Sequence, residues 1–236
     1  RKGSFKFKVL PFGLCNAPGT FQRLMDLVLS GMNYQICLVY LDDIIIFSKD
    51  LESHLERLEK LFERLEAANL KLKPSKCHLL QREVLFLGHI VSAEGISTDP
   101  DKIEMVKTWP QPRNVKEVRS FIGLCSYYRR YVEGFADIAE PLHGLTKKNQ
   151  KFFWSPACLT AFETMKEILT QSPILSYPTD TGRFILDTDA SDYSIGAVLG
   201  QYQYGEERVI AYASRLCSSA ERRYPVHRRE LLAIVY

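Results

Sequence analysis

The sequence predicts an α+β fold, in which strand-rich and helix-rich regions follow one another along the chain. Two short apolar runs rich in β-branched residues, 36–39 and 44–47, are typical of strands. Residues 51–68 repeat apolar side chains at helical spacing opposite a charged face. After Pro178 the pattern becomes strand-like again. Helices and strands that are segregated in this way favour the α+β class.

The first hundred residues contain patterns for several strands and two helices. Alternating apolar side chains over residues 5–9 indicate a strand, and Asn16 with Pro18 begins a helix. The runs 36–39 and 44–47 form a hairpin whose strands should be buried on both faces, because both runs are almost wholly apolar. Further strands are predicted over residues 70–73 and 84–91.

The pattern becomes mainly helical from Asp99 onward. Asp99 and Pro100 begin a short helix, and Asn114 with Glu117 forms a capping box that opens a longer one. This longer helix should reach about residue 132. The remaining elements are helices over residues 137–145 and 156–171, strands over 184–188, 196–199 and 209–212, and a last helix after Ser219.

Composition excludes several classes of protein. The 236 residues are 46% hydrophobic and 25% charged, which excludes wholesale disorder. A net charge of +3 is weak evidence for a nucleic-acid partner. The six cysteines form no Cys-x-x-Cys pair, which argues against a disulfide framework or a zinc site and favours reduced thiols inside a cell. No apolar stretch has membrane-spanning length.

Asp42 and Asp43 stand side by side between the two apolar runs. Two carboxylates at the tip of a rigid hairpin are costly to keep ionised unless a cation neutralises them, and a divalent metal with phosphate is the usual solution. Asp is also a common turn residue, so a solvated hairpin turn is the alternative explanation. The pair alone leaves this choice open.

Four stretches occur in a specific order along the chain. They are Leu10-Pro11-Phe12-Gly13-Leu14 with Asn16-Ala17-Pro18 and Phe21-Gln22; Tyr40-Leu41-Asp42-Asp43; Phe86-Leu87-Gly88-His89; and Thr188-Asp189-Ala190-Ser191. With these stretches the chain resembles, over essentially its whole length, the reverse transcriptase–ribonuclease H region of gypsy-like long-terminal-repeat retrotransposons.

The resemblance implies a right-hand polymerase followed by a nuclease domain. Residues 1–98 would form the palm without the upstream fingers and first palm strand, residues 99–150 a helical thumb, and residues 151–181 a tether. Residues 182–236 would form the N-terminal part of a ribonuclease H-like α/β domain. The implied activity is RNA-directed DNA synthesis with linked ribonuclease H, acting on an RNA or DNA template-primer and deoxynucleoside triphosphates.

The resemblance also assigns catalytic metal ligands. Asp42 and Asp43 would help to hold two Mg²⁺ ions in the palm, with Asp42 the firmer ligand, and Mn²⁺ could substitute. Asp189 and Glu230 match the first two carboxylates of ribonuclease H, which would also hold two metal ions. Asp187 and Asp192 lie nearby, but the Thr-Asp-x-Ser pattern selects Asp189.

A substrate pocket is implied by the motif that precedes the hairpin. Phe12 would pack against the sugar of the incoming nucleotide, Gly13 would allow close backbone approach, and Gln22 would position the substrate or the metal hairpin. Tyr40 belongs to the same pocket by the same resemblance. Without the family match, a turn glycine and a solvated glutamine would be the simpler interpretations. Two lysines, Lys73 and Lys76, are alternative candidates for a group near the triphosphate, or are ordinary surface residues.

Two elements are candidates for gripping nucleic acid. Gly88 and His89, expected on a strand before a turn, resemble the element that holds the primer terminus. Arg119, Gly123 and Tyr127 lie at i, i+4 and i+8 on one helical face, where a cation, a bare backbone and an aromatic ring suit a nucleic-acid groove. Alternatively, Tyr127 packs in the core and Gly123 only loosens the helix.

Both ends of the sequence resemble cuts within a longer protein, so we expect the isolated chain to lack useful polymerase or nuclease activity. A remnant or co-opted protein that binds nucleic acid without catalysis is an alternative, as is a protein in which only the nuclease half matters. The last 55 or so residues should be loosely ordered unless they dock on the rest. A cytoplasmic particle and the nucleus are both compatible locations, and oligomeric state and host remain open.

Overall fold

The computed structural model describes residues 3–236 and has the α+β composition that the sequence predicts. Among these residues it contains seven α-helices and three small antiparallel sheets. Its contacts divide the chain into two units, Arg1–Leu80 and Gln81–Tyr236. No helix in the described part combines the length and apolar character needed to cross a bilayer.

The first unit packs two helices on a two-stranded hairpin. Its elements are α1 (Ala17–Val28), β1 (Cys37–Tyr40), β2 (Asp43–Ile46) and α2 (Leu51–Ala67). Asp50 caps α2 by accepting a hydrogen bond of 2.8 Å from the Ser53 amide. The core of the unit consists of Met25, Leu29, Met32, Cys37, Leu61 and Leu65.

Three predictions for this unit were wrong. Residues 5–9 form no strand, and Phe5 and Phe7 are exposed, because no partner strand among the described residues supplies their hydrogen bonds. Residues 70–73 are also irregular and lead into a 3₁₀ turn, Pro74–Lys76. The hairpin packs against the core through one face only, that of Cys37, Val39, Ile44 and Ile46, whereas Leu38 and Tyr40 on the other face are exposed.

The second unit begins with a three-stranded meander of β3 (Val84–Phe86), β4 (His89–Val91) and β5 (Ile96–Thr98). The single strand predicted over residues 84–91 was therefore wrong. Leu87 and Gly88 have φ angles of 48° and 68° and turn the chain back on itself. Leucine at such an angle departs from the usual preference for Gly, Asn or Asp, which explains why the apolar pattern concealed the turn.

Four helices follow and build the larger core. They are α3 (Pro100–Lys107), α4 (Val115–Tyr127), α5 (Phe135–Leu145) and α6 (Pro156–Thr170). The predicted capping box at α4 is confirmed, with Asn114 Oδ1 accepting from the Glu117 amide at 3.0 Å. Helix α4 ends at Tyr127 rather than residue 132, and a 3₁₀ turn, Arg129–Tyr131, continues it. Residues 151–181, the predicted tether, include α6, whose apolar face is part of this core.

The chain ends in a three-stranded sheet covered by a helix. Strands β6 (Phe184–Ala190), β7 (Ser194–Gln203) and β8 (Glu206–Leu216) pair antiparallel in that order, and α7 (Val226–Val235) follows. A buried amide, Gln201, fastens the segment before β6: it accepts from the Thr179 amide and donates to the Thr179 carbonyl, both at 2.9 Å. Gln203 donates to the Tyr177 carbonyl at 2.8 Å.

This terminal sheet docks on helix α5. Asp137 accepts hydrogen bonds from Ser191 at 2.9 Å and from Ser194 at 2.5 Å. The Ala136 amide donates to Ser214 Oγ at 3.0 Å, and Arg129 donates to the Ser214 carbonyl. We expected the last 55 or so residues to be loosely ordered unless they dock on the rest, and these contacts show that they dock. The rate of amide exchange in this region remains a prediction.

Candidate functional site

The hairpin presents two carboxylates at its tip. Tyr40 pairs with Asp43, so Leu41 and Asp42 form a two-residue turn, and both aspartates are exposed. Leu41 has φ 54°, an unfavourable angle for a residue with a side chain. A non-glycine residue in this conformation persists where its surroundings hold it there. The surroundings of Leu41 are therefore part of the site.

Gln22 on α1 holds the turn. Its Oε1 accepts a hydrogen bond from the Leu41 amide at 2.6 Å. Its Nε2 donates to Asp26 Oδ1 at 2.9 Å and lies 3.5 Å from the Val39 carbonyl oxygen. The side chain thus bridges α1 to the turn that carries Asp42, and its expected role in positioning the substrate or the metal hairpin stays a prediction.

The donor set of the hairpin fits Mg²⁺. Magnesium is commonly bound by one or two carboxylates together with substrate phosphates and water, and Asp42 and Asp43 supply oxygen donors that face solvent. Within residues 3–236, no group of three or more His, Cys, Asp or Glu side chains is placed to hold a metal ion. These carboxylates therefore fit as part of a site that phosphate or further ligands complete.

The other predicted substrate residues lie on both sides of the hairpin in sequence. Phe12 and Gly13 are in the irregular segment before α1, with the Phe12 ring fully exposed and Gly13 at φ 89°. The ring of Tyr40 is about half exposed. Lys73 and Lys76 are exposed at either side of Pro74, and nothing in their placement favours one over the other.

Gly88 and His89 contact the end of helix α4. The Tyr127 hydroxyl donates to the Leu87 carbonyl, and its ring stacks on His89 with centroids 5.2 Å apart. A Cβ added to Gly88 would lie 3.4 Å from the Tyr127 ring, so the glycine allows this close approach. The expectation that residues 86–89 lie on one strand was wrong, because Leu87 and Gly88 form the turn.

The proposed face of α4 is only partly free. The Tyr127 side chain is 51% exposed, so it does not lie in the core. Gly123 faces open space, with no atom within 4 Å of an added Cβ. Arg119 donates to the Thr146 carbonyl at 3.1 Å, which gives one of its nitrogens a structural role at the end of α5.

The two carboxylates that the sequence predicts for the nuclease site are on β6 and α7. Asp189 is exposed on β6 opposite Gly196, and Glu230 is half-buried on α7. Arg229, only 7% exposed, joins the two elements by donating to the Ser191 carbonyl at 3.1 Å and to Asp192 Oδ1 at 2.6 Å. Asp192 is thus engaged in an ion pair.

Sequence reasoning missed several residues that shape these sites. Tyr128 and Tyr131 contact the β3–β4 turn, Asp137 holds the β6–β7 turn, and Arg229 ties α7 to the end of β6. The only signal in the sequence was the closely spaced tyrosines at the end of α4. Their partners are about 40 residues away in the chain, beyond the reach of local patterns.

Two family profiles match the chain. Residues 1–91 match the family described as reverse transcriptase (RNA-dependent DNA polymerase), and residues 154–236 match the RNase H-like domain found in reverse transcriptase.

Several polyproteins of mobile elements are similar over almost the whole chain. The Pol polyproteins of the Drosophila melanogaster transposons opus and 297 are 41% and 42% identical over 99% and 100% of this chain. The Tf2-3 polyprotein of Schizosaccharomyces pombe is 33% identical over 99%. The chain spans only 24%, 22% and 18% of these three relatives.

Solved structures of the foamy viral protease–reverse transcriptase are also similar. One, in complex with double-stranded DNA, superimposes with a TM-score of 0.82 at 26% identity, covering 95% of this chain and 39% of that one. Another, in complex with an RNA/DNA hybrid, superimposes with a TM-score of 0.80 at 26% identity, covering 96% of this chain and 31% of that one. Together with the profile matches, these similarities show that the chain carries a reverse transcriptase domain over residues 1–91 and an RNase H-like domain over residues 154–236, as in a segment of a retrotransposon Pol polyprotein.

Proposed function

We propose that this chain supplies the palm hairpin, the thumb and the first part of the ribonuclease H domain of an RNA-directed DNA polymerase. The hairpin carries the proposal, since it presents Asp42 and Asp43 to solvent on a turn that Gln22 holds. The profile matches to a polymerase and an RNase H-like domain support it. The predicted boundaries at residues 98, 150 and 181 remain part of this proposal.

In the proposed reaction Asp42 and Asp43 bind divalent metal, and Asp42 is the firmer ligand. Bound Mg²⁺ would supply activation of the primer 3′-hydroxyl and neutralisation of the leaving pyrophosphate. Gln22 keeps the turn in place, Phe12, Gly13 and Tyr40 contact the nucleotide, and Lys73 or Lys76 meets the triphosphate. Gly88, His89 and the Arg119–Gly123–Tyr127 face hold the template-primer. Asp189 and Glu230 bind metal in the nuclease.

The partners follow from the same proposal. Complexes of the foamy viral enzyme with double-stranded DNA and with an RNA/DNA hybrid support a nucleic-acid duplex as the partner of this chain. Deoxynucleoside triphosphates are the expected second substrate. All six cysteines are unpaired thiols, which supports an intracellular location, either a cytoplasmic particle or the nucleus.

Metal binding in the presence of duplex and nucleotide tests the proposal. Electron paramagnetic resonance measures free Mn²⁺ as the 236-residue protein is titrated with an RNA/DNA template-primer and a deoxynucleoside triphosphate present. We expect Asp42→Asn to weaken Mn²⁺ binding by at least about tenfold, because it removes a charged oxygen ligand. Asp180→Asn, an exposed carboxylate outside every proposed site, is the matched control and should leave binding unchanged.

The outcomes separate the proposal from its alternative. Equal Mn²⁺ binding by wild type and Asp42→Asn would refute the assignment of the hairpin. Duplex binding with no more bound Mn²⁺ than the duplex and nucleotide hold without the protein would instead favour a remnant or co-opted nucleic-acid-binding protein. The absence of a group of three metal-binding side chains among residues 3–236 is the observation on which that alternative depends.

A further inference from the structure

Two tyrosine hydroxyls hold the turn between β3 and β4, and a third bonds the residue that follows it. Leu87 and Gly88, both at left-handed φ angles, lie between the paired residues Phe86 and His89, so their carbonyls are outside the strand ladder. The Leu87 carbonyl accepts from the Tyr127 hydroxyl, and the Gly88 carbonyl accepts from the Tyr128 hydroxyl at 2.8 Å. Each turn carbonyl therefore has a phenol partner at the end of α4.

His89, the next residue, completes this arrangement. Its Nδ1 shares a hydrogen bond of 3.0 Å with the Tyr131 hydroxyl. Its ring stacks on Tyr127 and Tyr131 and meets the edge of Tyr128, with centroid distances of 5.2, 5.8 and 5.5 Å. We call Tyr127, Tyr128, Tyr131 and His89 the tyrosine cluster.

The members of the cluster differ in exposure. Tyr128 and Tyr131 are 0% and 1% exposed, and burial raises the pKa of both phenols to about 12, so both keep their protons at neutral pH. Burial, with the nearby Arg130, lowers the pKa of His89, which Asp99 opposes. The inner phenols therefore cannot touch a duplex, whereas the half-exposed Tyr127 can.

The cluster joins two surfaces that the proposed function assigns to nucleic acid. The β3–β4 turn is the candidate grip on the primer end, and α4 carries the candidate groove-contacting face. Three hydrogen bonds and a set of stacked rings connect them over three consecutive residues, Leu87 to His89. Two elements joined in this way move together, because separating them would leave the hydroxyls of the buried Tyr128 and Tyr131 side chains without partners.

We propose that Tyr128 and Tyr131 are positioning residues that fix the primer-gripping turn relative to helix α4. This inference rests on the proposed function, since it assumes that both surfaces bind the template-primer. The two phenols act through Gly88 and His89 and contact neither primer nor nucleotide. They set where the primer terminus lies once the duplex is bound.

A fluorescent base at the primer terminus distinguishes positioning from simple stability. The 236-residue protein is mixed at saturating concentration with an RNA/DNA template-primer that carries 2-aminopurine either at the primer 3′ end or within the duplex. Tyr128→Phe and Tyr131→Phe remove only a hydroxyl. We expect each to change the terminal signal by at least about twofold and to leave the internal signal unchanged. Duplex binding should weaken by at most about fivefold, the factor that one ordinary hydrogen bond is worth, because the deleted hydroxyl does not itself contact the duplex.

Tyr177→Phe is the matched control, since the Tyr177 hydroxyl also donates to a turn carbonyl, that of Gly95 at 3.3 Å, but lies outside the cluster. It should leave both fluorescent signals at the wild-type level. A thermal melt of each variant checks that the protein is folded, and Tyr131→Phe decides the matter if Tyr128→Phe does not fold. Wild-type terminal signals in folded Tyr128→Phe and Tyr131→Phe would overturn the inference.

Tyr127→Ala separates this inference from the proposed function. If Tyr127→Ala weakens duplex binding while Tyr128→Phe and Tyr131→Phe leave the terminal fluorescence at the wild-type level, the proposed nucleic-acid surface on α4 is correct and the positioning role is wrong. If it binds the duplex as tightly as wild type, the proposed surface is wrong and the positioning role falls with it.

Discussion

Removing the Gln22 side-chain oxygen should release the turn that carries Asp42. Gln22→Met keeps the length and approximate volume of the side chain but cannot accept from the Leu41 amide, which now bonds to it at 2.6 Å. A hydrogen bond of this kind contributes about 1 kcal/mol net. A loss of about 1 kcal/mol corresponds to a rise of about fivefold in the hydrogen-exchange rate of the Leu41 amide.

Amide exchange measured residue by residue is the suitable assay, because the expected change is local. The amides of α2 serve as an internal reference for global opening. Gln35→Met, a glutamine exposed on the loop before β1, is the matched control and should leave the Leu41 rate unchanged. An unchanged Leu41 rate in Gln22→Met, or an increase shared equally by α2, would show that Gln22 does not hold the turn.

Three further substitutions test other parts of the fold. Gly95→Ala should lower the free energy of unfolding by about 3 kcal/mol in urea titrations, because φ is 142° and the new Cβ would lie 2.2 Å from the Leu175 carbonyl oxygen. Asp137→Ala should lower the free energy of unfolding by about 1–2 kcal/mol in the same titrations, because the hydroxyls of Ser191 and Ser194 lose their acceptor. It should also speed amide hydrogen exchange at the β6–β7 turn. Arg215 holds the pKa of Glu221 at about 2, below its usual 4.5, so the ion pair stabilises the protein above pH 4.5 and loses this effect as the pH falls towards 2. The melting temperature of Glu221→Gln should therefore lie below that of wild type at pH 7 and converge with it near pH 2.

Each of these three substitutions has a matched control. A Cβ added at Gly134, where φ is 61°, would have no atom within 4 Å. Gly134→Ala should therefore lower the free energy of unfolding by only about 1–2 kcal/mol. Glu140→Ala changes a carboxylate on the same helix as Asp137, and Glu206→Gln changes an exposed one in a looser ion pair of 3.8 Å. Indistinguishable results for test and control would contradict the assigned contacts. A Glu221→Gln difference that persists at pH 2 would contradict the ion-pair explanation.

Local chemistry made much of the fold predictable. The capping box of Asn114 and Glu117 is a contact between residues three apart, so the sequence contains all of it. The Asp42–Asp43 hairpin was likewise encoded by adjacent apolar runs that pair with one another. The strand predicted over residues 5–9 was wrong, because alternating apolar side chains do not by themselves supply a neighbouring strand for the backbone hydrogen bonds.

The parts of the sites that escaped prediction depend on contacts between distant segments. The Tyr128 hydroxyl meets Gly88 40 positions earlier, and Asp137 meets Ser191 54 positions later. No periodicity in the sequence indicates such pairs. The β3–β4 turn was missed for a different reason: a leucine occupies a left-handed position where sequence rules expect glycine, asparagine or aspartate.

The buried amide of Gln201 has a consequence for how the nuclease half can be excised. Its oxygen and nitrogen are satisfied by backbone groups of Thr179 and Thr181, which precede the first strand of the sheet. A shortened protein that started at Phe184 would lose the backbone partners of this amide and keep only the hydrogen bond from Gln203 at 2.8 Å, so it would lose about 1 kcal/mol for each hydrogen bond removed. A fragment designed to keep these contacts should therefore begin at or before Tyr177, although no regular secondary structure marks that border.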